Sequence, residues 1–166
     1  KGAGRGSAMD PETASLLEQK IAFAAVLFNF PYPADAAQDE RDGAAIVAKR
    51  QCLVELINFV TEYKGTLTLH RAKQFVEMIG LNLIRALPPS RTGINFDPNE
   101  DAAPNDPAFV HVGLAYELLL RLLQSSKLLP AKVAKSAGIN ANFARGLMRC
   151  FDAEDPRERG YTKHVS

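Results

Sequence analysis

Phe151-Asp152-Ala153-Glu154-Asp155-Pro156-Arg157-Glu158-Arg159-Gly160-Tyr161 is the stretch on which the reading of this chain turns. Seven of its eleven residues are charged or proline, yet it lies between two apolar helical patterns. Phe151 closes the stripe of the helix before it. Asp155 is placed to cap the helix after it, with Pro156 at the first helical position, where a missing N–H costs nothing and φ is already helical. The stretch is therefore expected to be a tight joint between two helices. Its carboxylates, Asp152, Glu154, Asp155 and Glu158, are candidates for a hard-cation site or an acid–base pair. Such cations need several converging oxygens, and Arg157 and Arg159 compete for them. The stronger expectation is a helix cap with local Arg–Glu pairs, and with it an interaction or structural joint formed by Asp152, Glu154, Asp155, Arg157, Glu158 and Arg159.

Working outward, nearly every other segment also reads as helix. Asn140 caps a helix whose stripe is Phe143, Leu147 and Phe151, and Pro130 opens a short basic one with Lys132 and Lys135, ending at Gly138. Asp106-Pro107 starts a strongly apolar helix with Val110, Leu114, Leu118 and Leu122 on one face. Leu119, Leu120 and Leu123 widen that face, so this helix should be packed on more than one side. Thr68 caps a helix carried by Phe75, Ile79, Leu83 and Leu87 and stopped by Pro88-Pro89. A long helix carried by Ile46, Leu53, Ile57 and Val60 follows a polar loop at 34–42 and ends near Gly65, which suits a left-handed cap. Asp10-Pro11-Glu12 opens the first helix, with Leu17, Ile21, Ala24 and Phe28 at helical spacing before Pro31. The best strand candidate, Thr66-Leu67-Thr68-Leu69, is too short. The class is all-α, about seven helices. Successive long helices joined by short turns pair as antiparallel hairpins, which stack into a bundle or a HEAT/armadillo-like α-solenoid. Residues 1–9, Gly-rich and without an apolar core, read as a leader outside the fold, and 10–166 as the helical portion.

Composition narrows the function. With 20 Lys+Arg against 19 Asp+Glu, the net charge is +1, which gives no global attraction to nucleic acid or an anionic membrane. No apolar run reaches the roughly 20 residues of a membrane span. Cys52 and Cys150 lie inside apolar patterns and read as free buried thiols of a reducing compartment, cytoplasmic or nuclear. Motifs for metalloprotease, P-loop or nucleophile-elbow chemistry are absent, so no catalysis and no cofactor are expected. His70, His111 and His164 lie far apart; His111 reads as a hydrogen-bonded structural histidine and His70 as surface. The segment 90–106 carries an acidic cluster, Asp97, Glu100 and Asp101, a candidate contact surface.

Five ordered runs resemble one family, the B′ regulatory subunits of protein phosphatase 2A. Arg50 to Ile57 resembles its second long helix, and Ile84-Arg85-Ala86-Leu87-Pro88-Pro89-Ser90 its Phe-Arg-Thr-Leu-Pro-Pro-Ser run. Phe96-Asp97-Pro98-Asn99-Glu100-Asp101 is similar to its Phe-Asp-Pro-Glu-Glu-Asp loop. Val110-His111-Val112 with Leu114 to Arg121 is similar to Pro-His-Leu-Gln-Leu-Val-Tyr-Glu-Phe-Phe-Leu-Arg. Phe151 to Arg159 completes the series.

The resemblance implies a superhelix of HEAT-like repeats without catalysis of its own, docking on the phosphatase scaffold and catalytic subunits and selecting substrates. It also implies that Asp97, Glu100 and Asp101 face the catalytic subunit. The family's groove for Leu-x-x-Ile-x-Glu peptides is built mostly beyond Ser166; His164 is in register with a threonine there, so the groove is not carried onto it. The chain thus reads as an N-terminal fragment of a divergent member, with a last helix left to pack poorly or against a neighbour. Asn99 and Ala102 replace acids, Phe109 replaces a Trp, Gly160 replaces an acid, and 34–45 carries extra residues. The less acidic loop leaves an alternative, a helical-repeat adaptor that has lost the phosphatase. A third reading, a carboxylate-based hydrolase, predicts activity lost on Glu158→Ala.

Overall fold

The computed structural model describes residues 9–30, 40–87 and 105–165. Within them are α1 (Pro11–Ala24), α2 (Glu40–Glu62), α3 (Leu69–Leu83), α4 (Phe109–Gln124), α5 (Ala131–Ala137), α6 (Ala141–Met148), a 3₁₀ turn (Arg149–Asp152) and α7 (Pro156–Val165). No strand occurs among the described residues. The caps read from sequence are in place. Asp10 Oδ1 accepts the Thr13 amide at 2.8 Å, Thr68 Oγ1 the Arg71 amide at 3.3 Å, and Asn140 Oδ1 those of Asn142 and Phe143 at 2.9 and 3.2 Å. Gly138 closes α5 in the left-handed region at φ 119°.

Gly65 does not do this: its φ is not positive. The Tyr63 ring folds over it, 2.6 Å from where a Cβ would stand, so a side chain at 65 would have to displace that ring. Three further expectations shift. The helix α1 stops at Ala24, so Phe28 lies beyond it and its ring instead meets His111, with centroids 5.9 Å apart. The helix α3 stops at Leu83, before the Pro88-Pro89 stop, with a turn at Ile84. In α4 the buried face is His111, Val112, Ala115, Tyr116, Leu118, Leu119 and Leu122, while Val110 and Leu123 are exposed. The helix α2 begins at Glu40, inside the expected loop; the rest of that loop lies outside the described residues.

The hydrophobic core runs through α1 to α6 and is centred on α4, which packs on α2, α3 and α7. Helices α2 and α3 both pack against α1. Cys52 Sγ donates to the Lys20 carbonyl across α1–α2, and Lys20 pairs with Glu55 at 2.7 Å. Arg71 Nη2 reaches the Ala14 carbonyl at one end of α1–α3, and Asn82 Nδ2 the Ala24 carbonyl at the other. The short Thr66–Leu69 run forms no strand but ties two connections together. The Leu67 amide donates to the Leu128 carbonyl at 2.9 Å, and Thr66 Oγ1 to that of Lys127 at 2.9 Å. Leu118 and Leu122 are fully buried between helices, as their spacing requires. Helices α1 and α2, and α3 and α4, pack as pairs, and α2 on α4 and α1 on α3 join the pairs, as in a helical-repeat array.

The last helix packs better than expected. The Tyr161 ring of α7 stacks on Tyr116 of α4 with centroids 5.5 Å apart, and Thr162 is fully buried. The Thr162 hydroxyl donates to the Glu158 carbonyl at 3.0 Å, which leaves Thr162 Oγ1 to accept from Tyr116 at 3.2 Å. Both cysteines are free and buried, and burial pushes each thiol up.

Candidate functional site: a buried charged clasp

The joint between the 3₁₀ turn and α7 is built around Asp155. Its Oδ1 accepts the Arg157 amide at 2.9 Å, the cap that starts α7. The Arg157 guanidinium folds back onto the same carboxylate, Nη2 to Oδ2 at 2.6 Å, and lies 4.2 Å from the centre of the Phe109 ring. Asp155 Oδ2 also accepts the Asp106 amide at 2.9 Å, joining α7 to the start of α4. Burial opposes ionisation of Asp155. The Arg157 fork and the amides of Asp106 and Arg157 outweigh it and hold the carboxyl below the usual range.

Arg85 locks this joint to α3. It follows the turn at Ile84, which frees its side chain to cross toward α7. Nη1 and Nη2 donate to the two oxygens of Glu158 at 2.8 and 3.0 Å, and Nη2 also reaches Asp106 Oδ2 at 2.9 Å. Asp106 Oδ1 in turn accepts the Ala108 amide at 2.9 Å, starting α4. Glu158 is 1% exposed and Asp155 3%. Burial opposes the Arg85 charge, but Glu158 and Asp106 more than compensate and raise it above the ordinary guanidinium range. The planar fork of arginine suits this bidentate grip, which a lysine ammonium cannot reproduce.

The structure therefore revises the joint read from sequence. The cap and its proline are where expected, but the ion pairs are not local Arg–Glu pairs. Glu158 is held by Arg85, 73 residues away. Arg157 pairs with Asp155, and Arg159 donates to the Ala153 and Glu154 carbonyls at 2.7 Å each. Asp152 is exposed and Glu154 half-buried. Among the described residues no group of three or more His, Cys, Asp or Glu is placed to hold a metal; the buried carboxylates here are engaged by guanidinium and amide donors. Asp97, Glu100 and Asp101 lie outside the described residues.

A second cation, more deeply buried than Arg85, is held by Asn82 in the last turn of α3. Lys49 of α2 is 1% exposed. Its Nζ donates to the Val26 carbonyl at 2.6 Å and to Asn82 Oδ1 at 2.7 Å, and sits 5.8 Å from the centre of the Phe28 ring. Asn82 Nδ2 donates to the Ala24 and Met78 carbonyls at 3.0 and 2.8 Å, so Lys49 and Asn82 together satisfy the chain leaving α1. Burial among neutral acceptors pushes Lys49 down to about 8. His111 is structural, as expected: its Nε2–H donates to the Ile46 carbonyl at 2.8 Å, and burial lowers its pKa.

Sequence reasoning missed Lys49, Asn82 and Arg85 as structural residues. A signal was present for the first two. Ile46, Lys49, Leu53, Leu56 and Val60 follow alternating steps of three and four, so Lys49 occupies a core position, and Asn82 does the same on the stripe of Phe75 and Ile79. Arg85 sits outside any helix, and nothing local announces its partners.

Comparison with known proteins agrees with this frame. Residues 5–166 match the family described as protein phosphatase 2A regulatory B subunit (B56 family). The chain is 36% identical over 154 residues to the mouse serine/threonine-protein phosphatase 2A 56 kDa regulatory subunit alpha isoform, covering 93% of this chain and 30% of that protein. It is 37% identical over 154 residues to the human beta isoform, covering 93% and 29%. To the human delta isoform it is 36% identical over 156 residues, covering 93% and 25%. The chain thus spans less than a third of the length of these relatives.

Proposed function

From the premise that this chain belongs to the B56 family of protein phosphatase 2A regulatory subunits, we propose that it works as part of a non-catalytic targeting subunit. It docks on the phosphatase scaffold and catalytic subunits and directs the enzyme to its substrates. The observation that carries this reading is the family match over nearly the whole chain, which takes in both the acidic segment and the charged joint. Asp97, Glu100 and Asp101 form the acidic contact toward the catalytic subunit, and the exposed Asp152 and Arg157 lie on the adjoining joint. Recognition of Leu-x-x-Ile-x-Glu peptides is part of this reading, through a groove of which these residues supply little. The working compartment is cytoplasmic or nuclear, in keeping with two unpaired buried cysteines. Nucleic acid and membrane have no part in this reading.

The test is co-purification of the full-length parent protein with the scaffold and catalytic subunits. Stable association, with phosphatase activity in the recovered complex, is expected. No association where another B56 subunit binds would overturn the reading and leave the helical-repeat adaptor in its place. Restoring acids at Asn99 and Ala102 should tighten the complex.

A further inference from the structure

Helix α3 packs on α5, and an open groove follows their junction toward α6. It holds about 470 Å³ and is lined by Val76, Gly80, Leu81, Ile84, Ala137 and Phe143, with Lys73 and Glu77 of α3 beside them. Leu81 and Ile84 are exposed along it. We propose that this groove docks an acidic amphipathic helix of a partner protein. The apolar face of that helix lies against α3 and Phe143, and its carboxylates face α5 and α6. Nothing in it depends on phosphatase association.

Charge selects the sign of the occupant. Residues 127–150, which span α5 and α6, carry Lys127, Lys132, Lys135, Arg145 and Arg149 and no Asp or Glu. All five side chains are exposed, in a chain whose net charge is only +1. Such a patch attracts a segment of opposite sign. It opposes a second copy of this chain, whose own cations would meet these across a two-fold axis. The lining selects the conformation. Its apolar side chains offer no partners to the inner backbone amides of an extended peptide, whereas a helix satisfies its own. From Lys73 to Ile84 the α3 side rises about 16 Å, or about three helical turns. An isolated helix of that length is marginal, so the occupant orders as it docks. Gly80 shapes the floor. A Cβ there would stand 3.5 Å from the Phe143 ring, an ordinary contact, so packing does not require glycine. Glycine inside a helix is less stable than alanine. What it leaves is a bare stretch of α3 that an incoming helix can approach closely.

The test uses the whole chain of 166 residues. The probe is a labelled synthetic peptide of about 14 residues, with leucines at i, i+3, i+4 and i+7 and glutamates beside them. A counterpart carries lysines in place of the glutamates. The acidic peptide should bind saturably, gain helicity, and shift the amide resonances of Val76, Gly80, Ala137 and Phe143. It should bind at least about tenfold more tightly than the basic one. Lys132→Glu with Lys135→Glu should reverse that preference. Gly80→Leu fills the groove and should abolish binding. Leu81→Gln, at an exposed position, should weaken it about tenfold with an unchanged thermal midpoint, which separates loss of the site from loss of the fold. Failure of the acidic peptide to bind, or equal binding of the two peptides, would overturn the proposal. So would wild-type affinity in both Gly80→Leu and Leu81→Gln, or displacement of the probe by a Leu-x-x-Ile-x-Glu peptide. Self-association of the chain that Gly80→Leu abolishes would give the groove to a second copy and overturn it as well.

Discussion

Two cations gather where α3 ends, Lys49 of α2 on Asn82 and Arg85 just past the helix, and the protein treats them in opposite ways. On the side of Asn82, Lys49 is held by a backbone carbonyl, an amide oxygen and the face of Phe28. On the side of Arg85, the guanidinium faces the carboxylates of Glu158 and Asp106. Neutral dipoles leave the desolvation of the first charge uncompensated, and its pKa falls to about 8. Full carboxylates reverse the sign at the second. The first site closes off α1; the second joins α3, α4 and α7. A point charge on a flexible stem suits carbonyls converging from a helix end, whereas a planar fork suits carboxylates that must be held in register.

Arg85→Ala should break the comparison most severely. It leaves Glu158 buried with its charge unpaired, at a cost of about 3–5 kcal/mol in denaturant unfolding. Leu118→Ala, in the core face of α4, should cost roughly 2–5 kcal/mol and bear on neither cation in particular. Asn82→Leu removes an acceptor from Lys49 and the donor to the Ala24 carbonyl; a loss of about 1–3 kcal/mol is expected. Arg157→Ala should cost at most about 1 kcal/mol, because that side chain is 46% exposed and its ion pair is screened. A larger loss from Arg157 than from Arg85 would mean that the clasp is held from the surface.

The pH dependence should separate the two regions most clearly. Lys49 has a lower pKa folded than unfolded, so the unfolded chain binds more protons between about 8 and 10.5, and stability attributable to it rises with pH across that window. Asp155 has a depressed pKa, so its contribution is present above the ordinary carboxylate range and is lost as pH falls through its folded value. Lys49→Met should flatten the alkaline rise and leave the acid limb in place. Thermal midpoints recorded from about pH 2 to about pH 10.5 would show both effects.

Much of this was legible in the residues. Caps at Asp10, Thr68, Asn140 and Asp155 are local, since one side chain meets an amide two or three positions on, and all four are formed. The apolar stripes gave the helices and the burial of Leu118 and Leu122. What stayed hidden depends on distance along the chain. The charge of Glu158 has near neighbours in Arg157 and Arg159, whereas the donor that holds it lies 73 residues upstream. Gly65 suits a left-handed cap by its residue type, but its φ is not positive and what lies against it is the Tyr63 ring. Val110 follows the period of α4 but faces outward, since the packing of α2 and α7 selects which side of an all-round apolar helix is covered.

The most direct measurement is a double-mutant cycle on Arg85 and Glu158, using Arg85→Met, Glu158→Gln and the pair, by equilibrium unfolding. A buried clasp gives a coupling energy of about 2–3 kcal/mol between the two positions, with either single change nearly as damaging as both. Additivity within about 0.5 kcal/mol would contradict it, because Glu158 would then be sustained by its near neighbours and the joint would be the local turn first read from the sequence.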